Sequence, residues 1–174
     1  MFSGPEPAPG CGDRPPRYTV PVAPLTIRPA RDDELPRLLE LQAASPQAAQ
    51  WAQEQYRSAI AGQISLRCLV AEWGGRVEGM IVFRGPVAGE SEILNLAVAP
   101  EQRRQGIGGA LVRAACEQPA DLFLEVRRSN QGGITFYRGC GFQDVGCRKD
   151  YYRDPPEDAL VMKRAAGSAG GPGL

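Results

Sequence analysis

One segment constrains the fold of this 174-residue chain more than any other. Ser91 to Val98 is rich in apolar residues, Pro100 closes that run, Glu101 to Gln105 make a charged turn, and Gly106, Gly108 and Gly109 lead into Ala110-Leu111-Val112. The order reads as a buried strand, a turn, a glycine cluster and a helix, which points the free backbone N–H groups of the helix start at a phosphate. Glycine suits the place for two reasons. Without a Cβ the backbone can approach a ligand closely, and positive φ is cheap only for glycine. Function is therefore to be sought at this turn.

Three phosphate-binding designs compete for the segment, and spacing separates them. A Walker loop needs Gly-Lys-Ser/Thr after four intervening residues, which the chain lacks. A dinucleotide fingerprint comes closer, since Gly106-x-Gly108 opens a helix and Glu125 follows nineteen residues later. Leu111 nevertheless fills the third glycine position, and residues 100–105 separate strand from glycine where that fingerprint turns at once. The third design fits: Arg103-Arg104-Gln105-Gly106-Ile107-Gly108, with Val98-Ala99-Pro100 upstream, resembles the Arg/Gln-x-x-Gly-x-Gly/Ala acyl-CoA loop of the GNAT (Gcn5-related) N-acetyltransferases. Downstream, Leu124-Glu125-Val126-Arg127-Arg128-Ser129-Asn130, then Tyr137 and Gly141-Phe142, resemble the fifth strand and fourth helix of its RimI-like branch, the ribosomal-protein alanine N-acetyltransferases. The likeness covers residues 91–163 closely and 25–90 in outline. It implies an α/β (α+β) GNAT fold, a mixed twisted sheet of six to seven strands flanked by helices on both faces.

Composition narrows the partners. Lys+Arg and Asp+Glu balance at 20 each, so neither nucleic acid nor an anionic membrane is attracted in bulk. Eighteen of the basic residues are arginine, Lys149 and Lys163 being the lysines, a skew that reflects codon bias rather than phosphate recognition. The cysteines at 11, 68, 116, 140 and 147 form no CxxC and are too scattered for a zinc site, so no metal is expected. An odd number without an export-type start fits reduced thiols in a bacterial cytoplasm. Histidine is absent, so any general base must be a carboxylate, a tyrosinate, a cysteine or water. No run approaches the about eighteen apolar residues that would span a bilayer.

Residues 1–24 hold seven of the sixteen prolines and read as a disordered, extended tail; residues 165–174, rich in Gly and Ala, read likewise. The domain is thus residues 25–164. Within it we expect a strand at 25–28, a helix capped by Asp33 with Leu35, Leu38, Leu39 and Gln42 inward, and a second helix from Ser45-Pro46 through Ile60 carrying Trp51 and Tyr56. A hairpin over 65–84 follows, turning at Gly74-Gly75, then a strand at 92–98 and a helix from the glycine loop to about 117. A buried parallel strand at 121–126, a helix near 134–138 and closing strands at 146–152 and 159–164 complete the order βααβββαβαββ.

Acetyl-CoA presents a pyrophosphate, a 3′-phosphate, an amide-bearing arm and a thioester. The N–H groups of Arg104, Gln105, Gly106, Ile107, Gly108 and Gly109 suit the pyrophosphate, and Arg103 or Arg104 could offset a phosphate or form only a solvated turn. The family resemblance implies that the backbone of Leu96, Ala97 and Val98 pairs with the pantetheine amides, that Glu125 is the general base, that Tyr137 protonates the departing thiolate, and that Asn130 contacts the cofactor arm. On residues alone Glu125 could be a strand-end glutamate, Tyr137 a core tyrosine and Asn130 a helix cap. An α-amine titrates near 8 and a lysine near 10.4, so at neutral pH the neutral nucleophile is roughly a few hundredfold more abundant for the former. The resemblance implies the N-terminal alanine of small-subunit ribosomal protein eighteen as acceptor, flanked by Trp51 and the hairpin from Tyr151 to Glu157. Asp150, Asp154, Glu157 and Asp158 could attract a basic peptide. Rival readings are an acetyltransferase for a small amine or antibiotic, a dinucleotide-binding oxidoreductase, and a non-catalytic acyl-CoA-binding partner of tRNA threonylcarbamoylation proteins.

Overall fold

A computed structural model describes residues 24–168. Its elements are β1 (Thr26–Pro29), α1 (Leu35–Ala43), α2 (Gln53–Ile60), β2 (Leu66–Trp73), β3 (Arg76–Val87), β4 (Glu90–Val98), α3 (Ile107–Ala115), β5 (Asp121–Arg127), α4 (Gln131–Gly139), β6 (Gln143–Arg153) and β7 (Pro156–Arg164). The strands form one seven-stranded sheet in the order β1-β2-β3-β4-β5-β7-β6. All neighbours are antiparallel except β4 and β5, which are parallel. This is the expected mixed sheet. Of the tails expected at 1–24 and 165–174, residues 1–23 and 169–174 lie outside the described residues. Residues 165–168 form a short turn in which Ala166 N–H donates to Asp121 Oδ1 at 2.9 Å and Arg164 to the Ser168 carbonyl at 2.7 Å.

The helices divide between the faces because each carries one apolar stripe. Leu35, Leu38 and Leu41 of α1, with Tyr56 and Ala59 of α2, bury against Cys68, Val70, Met80 and Val82. On the opposite face Ile107, Leu111, Val112 and Ala115 of α3 and Ile134 of α4 cover Ile81, Phe83, Ile93, Leu122, Leu124, Val126 and Met162. Strand β3, covered on both sides, is buried without a break from Val77 to Phe83. Truncating Leu38 or Leu111, both fully buried, would cost about 2–5 kcal/mol.

Three local expectations need correction. Asp33 caps nothing: it is exposed in a 3-10 turn, and the residue that organises the start of α1 is Glu34, which accepts from Arg31 N–H at 2.8 Å and pairs with Arg28 at 2.6 Å. Helix α2 begins at Gln53 instead of Pro46: after Ser45 the chain makes only a turn, Ala48 N–H donating to the Ser45 carbonyl at 2.8 Å, and the Ser45 hydroxyl accepts from Arg103 at 3.1 Å. Trp51 accordingly precedes α2, its ring 5.6 Å from that of Tyr56. Finally, β5 is parallel to β4 along part of its length and antiparallel to β7 on its other edge.

That partial pairing opens the sheet. On its β3 side, β4 places Ile93 opposite Phe83 and Asn95 opposite Val82, so Leu94 has no partner and forms a bulge, which bends the strand. On its β5 side the ladder runs from Glu90↔Asp121 to Ile93↔Leu124 and stops. Beyond the bulge β4 stays paired with β3 as far as Val98 while leaving β5, so a V-shaped gap exposes one backbone edge of residues 95–98.

Candidate active site

The glycine loop stands at the mouth of this gap. After Pro100 the chain makes a 3-10 turn, Arg104 adopts φ +62°, and Gly106, at φ +82°, is the N-cap of α3. Among the described residues no side chain caps that helix. The first amides of a helix have no intrahelical partner, so those of α3 remain available. Ile107 is buried and anchors the start of the helix in the core, whereas Arg104 and Gln105 are exposed. Arg103 folds back, donating to the Val98 carbonyl at 3.1 Å, the Ala44 carbonyl at 3.0 Å and the Ser45 hydroxyl. It is thus a strut between the loop and the end of α1. The two later glycines differ. A Cβ on Gly108 would lie 3.1 Å from the Phe136 ring of α4, while one on Gly109 would meet nothing nearer than Arg113 Nη1 at 3.4 Å.

Leu96 and Val98 turn toward the α3 side and Ala97 toward the α1 side, as alternation requires, so what they offer the gap is backbone. Asn130 caps α4: its Oδ1 accepts from Gly133 N–H at 2.9 Å.

Glu125 alternates with Leu124 and Val126, which lie under α3 and α4, so its carboxylate projects from the other face. It enters a cavity of about 510 Å³ lined by Arg84, Glu92, Phe123 and Arg148 among others. Its Oε1 is 3.2 Å from Arg148 Nη2, and its side chain is 10% exposed. Burial foremost, then the charge and hydrogen bond of neighbouring Glu92, holds its carboxyl above the ordinary range, and Arg148 partly offsets this. Glu92 Oε2 in turn pairs with Arg84 Nη1 at 3.1 Å.

Tyr137 belongs to the opposite face. Its ring packs edge-on between Phe136, 5.1 Å away, and Phe142, 5.6 Å away, and burial raises its ionisation well above the usual phenol range. Its hydroxyl makes no hydrogen bond among the described residues. The sheet therefore separates Glu125 from Tyr137, with the β4–β5 gap between the two sides.

Sequence reasoning missed Arg148, and it placed Tyr152 only within the hairpin flanking the acceptor. Tyr152 donates to the Glu125 carbonyl at 3.3 Å, lies 4.1 Å beneath the Arg127 guanidinium, and is pushed by burial to about 12. Both come from β6, whose run Arg148-Lys149-Asp150-Tyr151-Tyr152-Arg153 looks in sequence like a solvated hairpin. Two of the acids there are committed internally. Glu157 accepts from Ser129 N–H at 2.6 Å and pairs with Arg127 at 3.2 Å, and Asp158 accepts from Asp150 N–H at 3.0 Å.

The open sheet thus carries an uncapped helix start on one side and a buried carboxylate on the other. Residues 33–142 match the acetyltransferase (GNAT) family model, and the chain belongs to that family of N-acyltransferases. A protein of Bacillus subtilis (strain 168), named as a ribosomal protein bS18-alanine N-acetyltransferase, is 32% identical over 141 residues, 78% of this chain and 92% of that one. The ribosomal protein bS18-alanine N-acetyltransferase of Escherichia coli (strain K12) is 39% identical over 83 residues, 44% of this chain and 56% of its own length. The crystal structure of the ribosomal-protein-S18-alanine N-acetyltransferase from Escherichia coli superposes with a TM-score of 0.69 at 26% identity, covering 84% of this chain and 96% of that one. Among the described residues no helix is long and apolar enough to cross a membrane, and no cluster of His, Cys, Asp and Glu could hold a metal ion.

Proposed function

We propose that this protein is an acetyl-CoA-dependent acetyltransferase of protein N-termini, taking an α-amine on alanine, as in ribosomal protein bS18, with Glu125 as base and Tyr137 as the donor to sulfur. The observation that carries this reading is the gap itself: β4 leaves β5 directly beside Glu125, with the free amides of α3 on the far side. The amides of residues 104–109 fit the pyrophosphate of acetyl-CoA, since no side chain among the described residues caps the helix they open. The unpaired edge of Leu96, Ala97 and Val98 fits the pantetheine amides. When bound, acetyl-CoA supplies a thioester carbonyl for an amine to attack.

The chain's own residues would move the protons. An ammonium must lose one proton to become a nucleophile, and a carboxyl held above its usual range accepts it with less penalty than a glutamate near 4.3 would. On the other face a thiol titrates near 8.5. Tyr137, raised by burial, keeps its proton at rest and stabilises the leaving sulfur by donating a hydrogen bond.

The test is acetylation of a peptide that begins with alanine and also contains lysine, read by mass spectrometry, with the α-amine modified first. Predominant lysine modification would overturn the acceptor assignment. Glu125→Gln should lower kcat/KM about a hundredfold at neutral pH, with the deficit shrinking at high pH as the amine deprotonates unaided; a wild-type rate and pH profile would remove Glu125 as base. A stability signature accompanies it. Because the folded-state pKa of Glu125 is raised, its contribution to stability is present below the ordinary glutamate range and is lost as pH rises through the folded value. Glu125→Gln should therefore melt above the parent at neutral pH, with the difference fading on acidification.

A further inference from the structure

Glu125 is half of a pair. Register places Glu92 opposite Phe123, two residues before Glu125, and parallel pairing puts Glu92, Phe123 and Glu125 on one face. The ladder ends one pair later, at Ile93↔Leu124, so Glu125 is the first residue of β5 beyond it. One oxygen of each carboxylate is engaged from the outside, Glu92 Oε2 by Arg84 at 3.1 Å and Glu125 Oε1 by Arg148 at 3.2 Å. All four side chains line the same cavity of about 510 Å³, where Glu92 acts on the Glu125 carboxyl as a like-charged neighbour. Charges thus run positive, negative, negative, positive across the cavity, with the adjacent anions in the middle. Two neighbouring carboxylates repel unless a proton or a cation lies between them.

We propose that the Glu92–Glu125 pair is the cradle for the acceptor's primary ammonium group, Glu92 acting as a positioning residue that holds the cation while Glu125 takes its proton. The proposal rests on the acetyltransferase reading above. On binding, the ammonium donates to one free oxygen of each carboxylate. One N–H bond then breaks, the proton passes to Glu125, and the neutral amine keeps its hydrogen bond to Glu92, which remains paired with Arg84. The remaining groups facing Glu125 fit this role: Tyr151 and Tyr152 of β6 both have raised ionisation and are neutral near pH 7, and Glu90 of β4 adds a further negative charge to the cavity wall. The acceptor class follows: a compact primary amine that arrives charged, in preference to a hydroxyl or an anion.

Glu92→Gln keeps shape and removes the charge. It should raise KM for the alanine peptide about tenfold, the usual worth of one hydrogen bond to a charged group, while kcat changes much less. The acid limb of kcat/KM should move to lower pH, because Glu125 loses its like-charged neighbour. Arg84→Met leaves Glu92 uncompensated and should move that limb the other way, so the pair of variants tests the coupling even if one folds poorly. CoA-dependent thermal stabilisation should be unchanged in both. An unaltered KM and acid limb in folded Glu92→Gln, or shifts of the same sign in the two variants, overturns the cradle. Failure of the underlying reading looks different, since Glu125→Gln would then retain the parent rate whatever Glu92 does.

Discussion

Helices α3 and α4 lie on the same face of the sheet, each follows a strand, and each carries two glycines in its first turn, yet their N-termini are finished in different ways. Asn130 closes α4 by accepting from Gly133, whereas Gly106 at the start of α3 has no side chain to offer and no other side chain among the described residues replaces it. Backbone donors do not stay unpaired at low cost. An end closed from within has finished its hydrogen bonding, and an end left open is completed from outside. The closed helix also supports the open one, because the Phe136 ring of α4 rests where Gly108 of α3 lacks a Cβ. In this loop Gly108 therefore serves the packing of helix on helix at least as directly as the approach of a phosphate.

The harshest way to break the contrast is Gly108→Val. Its branched side chain would collide with Phe136 and displace both the open end and the helix bearing Tyr137. We expect CoA-dependent thermal stabilisation to vanish and the free protein to lose about 1–3 kcal/mol. Undiminished stabilisation by CoA would remove the loop as its binding site. Next in size is Asn130→Ala, which uncaps α4 and should cost about 1 kcal/mol by chemical denaturation. Turnover should fall through Tyr137, while the CoA shift in melting temperature persists; a lost CoA shift would mean that Asn130 touches the ligand as well.

A subtler variant separates the arginines of the motif. Arg103→Met cuts the strut to Ala44 and Ser45 and should loosen residues 44–52, raising the acceptor KM several-fold while the CoA Kd moves less. The reverse order of effects would make Arg103 a phosphate ligand. Mildest is Gly109→Ala, where a Cβ meets only Arg113 Nη1 at 3.4 Å. Removing a glycine from a helix gains up to about 1 kcal/mol, so a slightly higher melting temperature with intact CoA response is expected. Loss of that response would indicate that Gly109 lies as close to the ligand as Gly106.

Much of the arrangement was legible along the chain. The strand, turn and glycine cluster from Ser91 to Val112 specify β4 and α3, and strict alternation through Leu124, Glu125 and Val126 puts the one charged side chain of the three on the face opposite its neighbours. The start of α2 was not legible. Ser45-Pro46 has the local chemistry of a helix cap, but Arg103, fifty-eight residues away, takes the hydroxyl. Arg148 was equally hidden, since a basic residue on an exposed hairpin differs from its neighbours only through what β6 is folded against.

The sequence by itself determined which segments are strands and helices, that the α3 start would be rich in glycine and free of capping side chains, and which residue types stand at positions 125 and 137. These are properties of periods of two and 3.6 and of backbone chemistry within a few residues. Tertiary structure decided the rest: the bulge at Leu94, the parting of β4 from β5 after Ile93, the placing of Glu125 and Tyr137 on opposite faces of the sheet, and the pairing of Glu125 with Glu92 and Arg148. The physical reason is that each of these depends on register or charge between strands far apart in the chain. A side chain's ionisation and its reach are set by what the fold brings beside it, which its neighbours in sequence do not record.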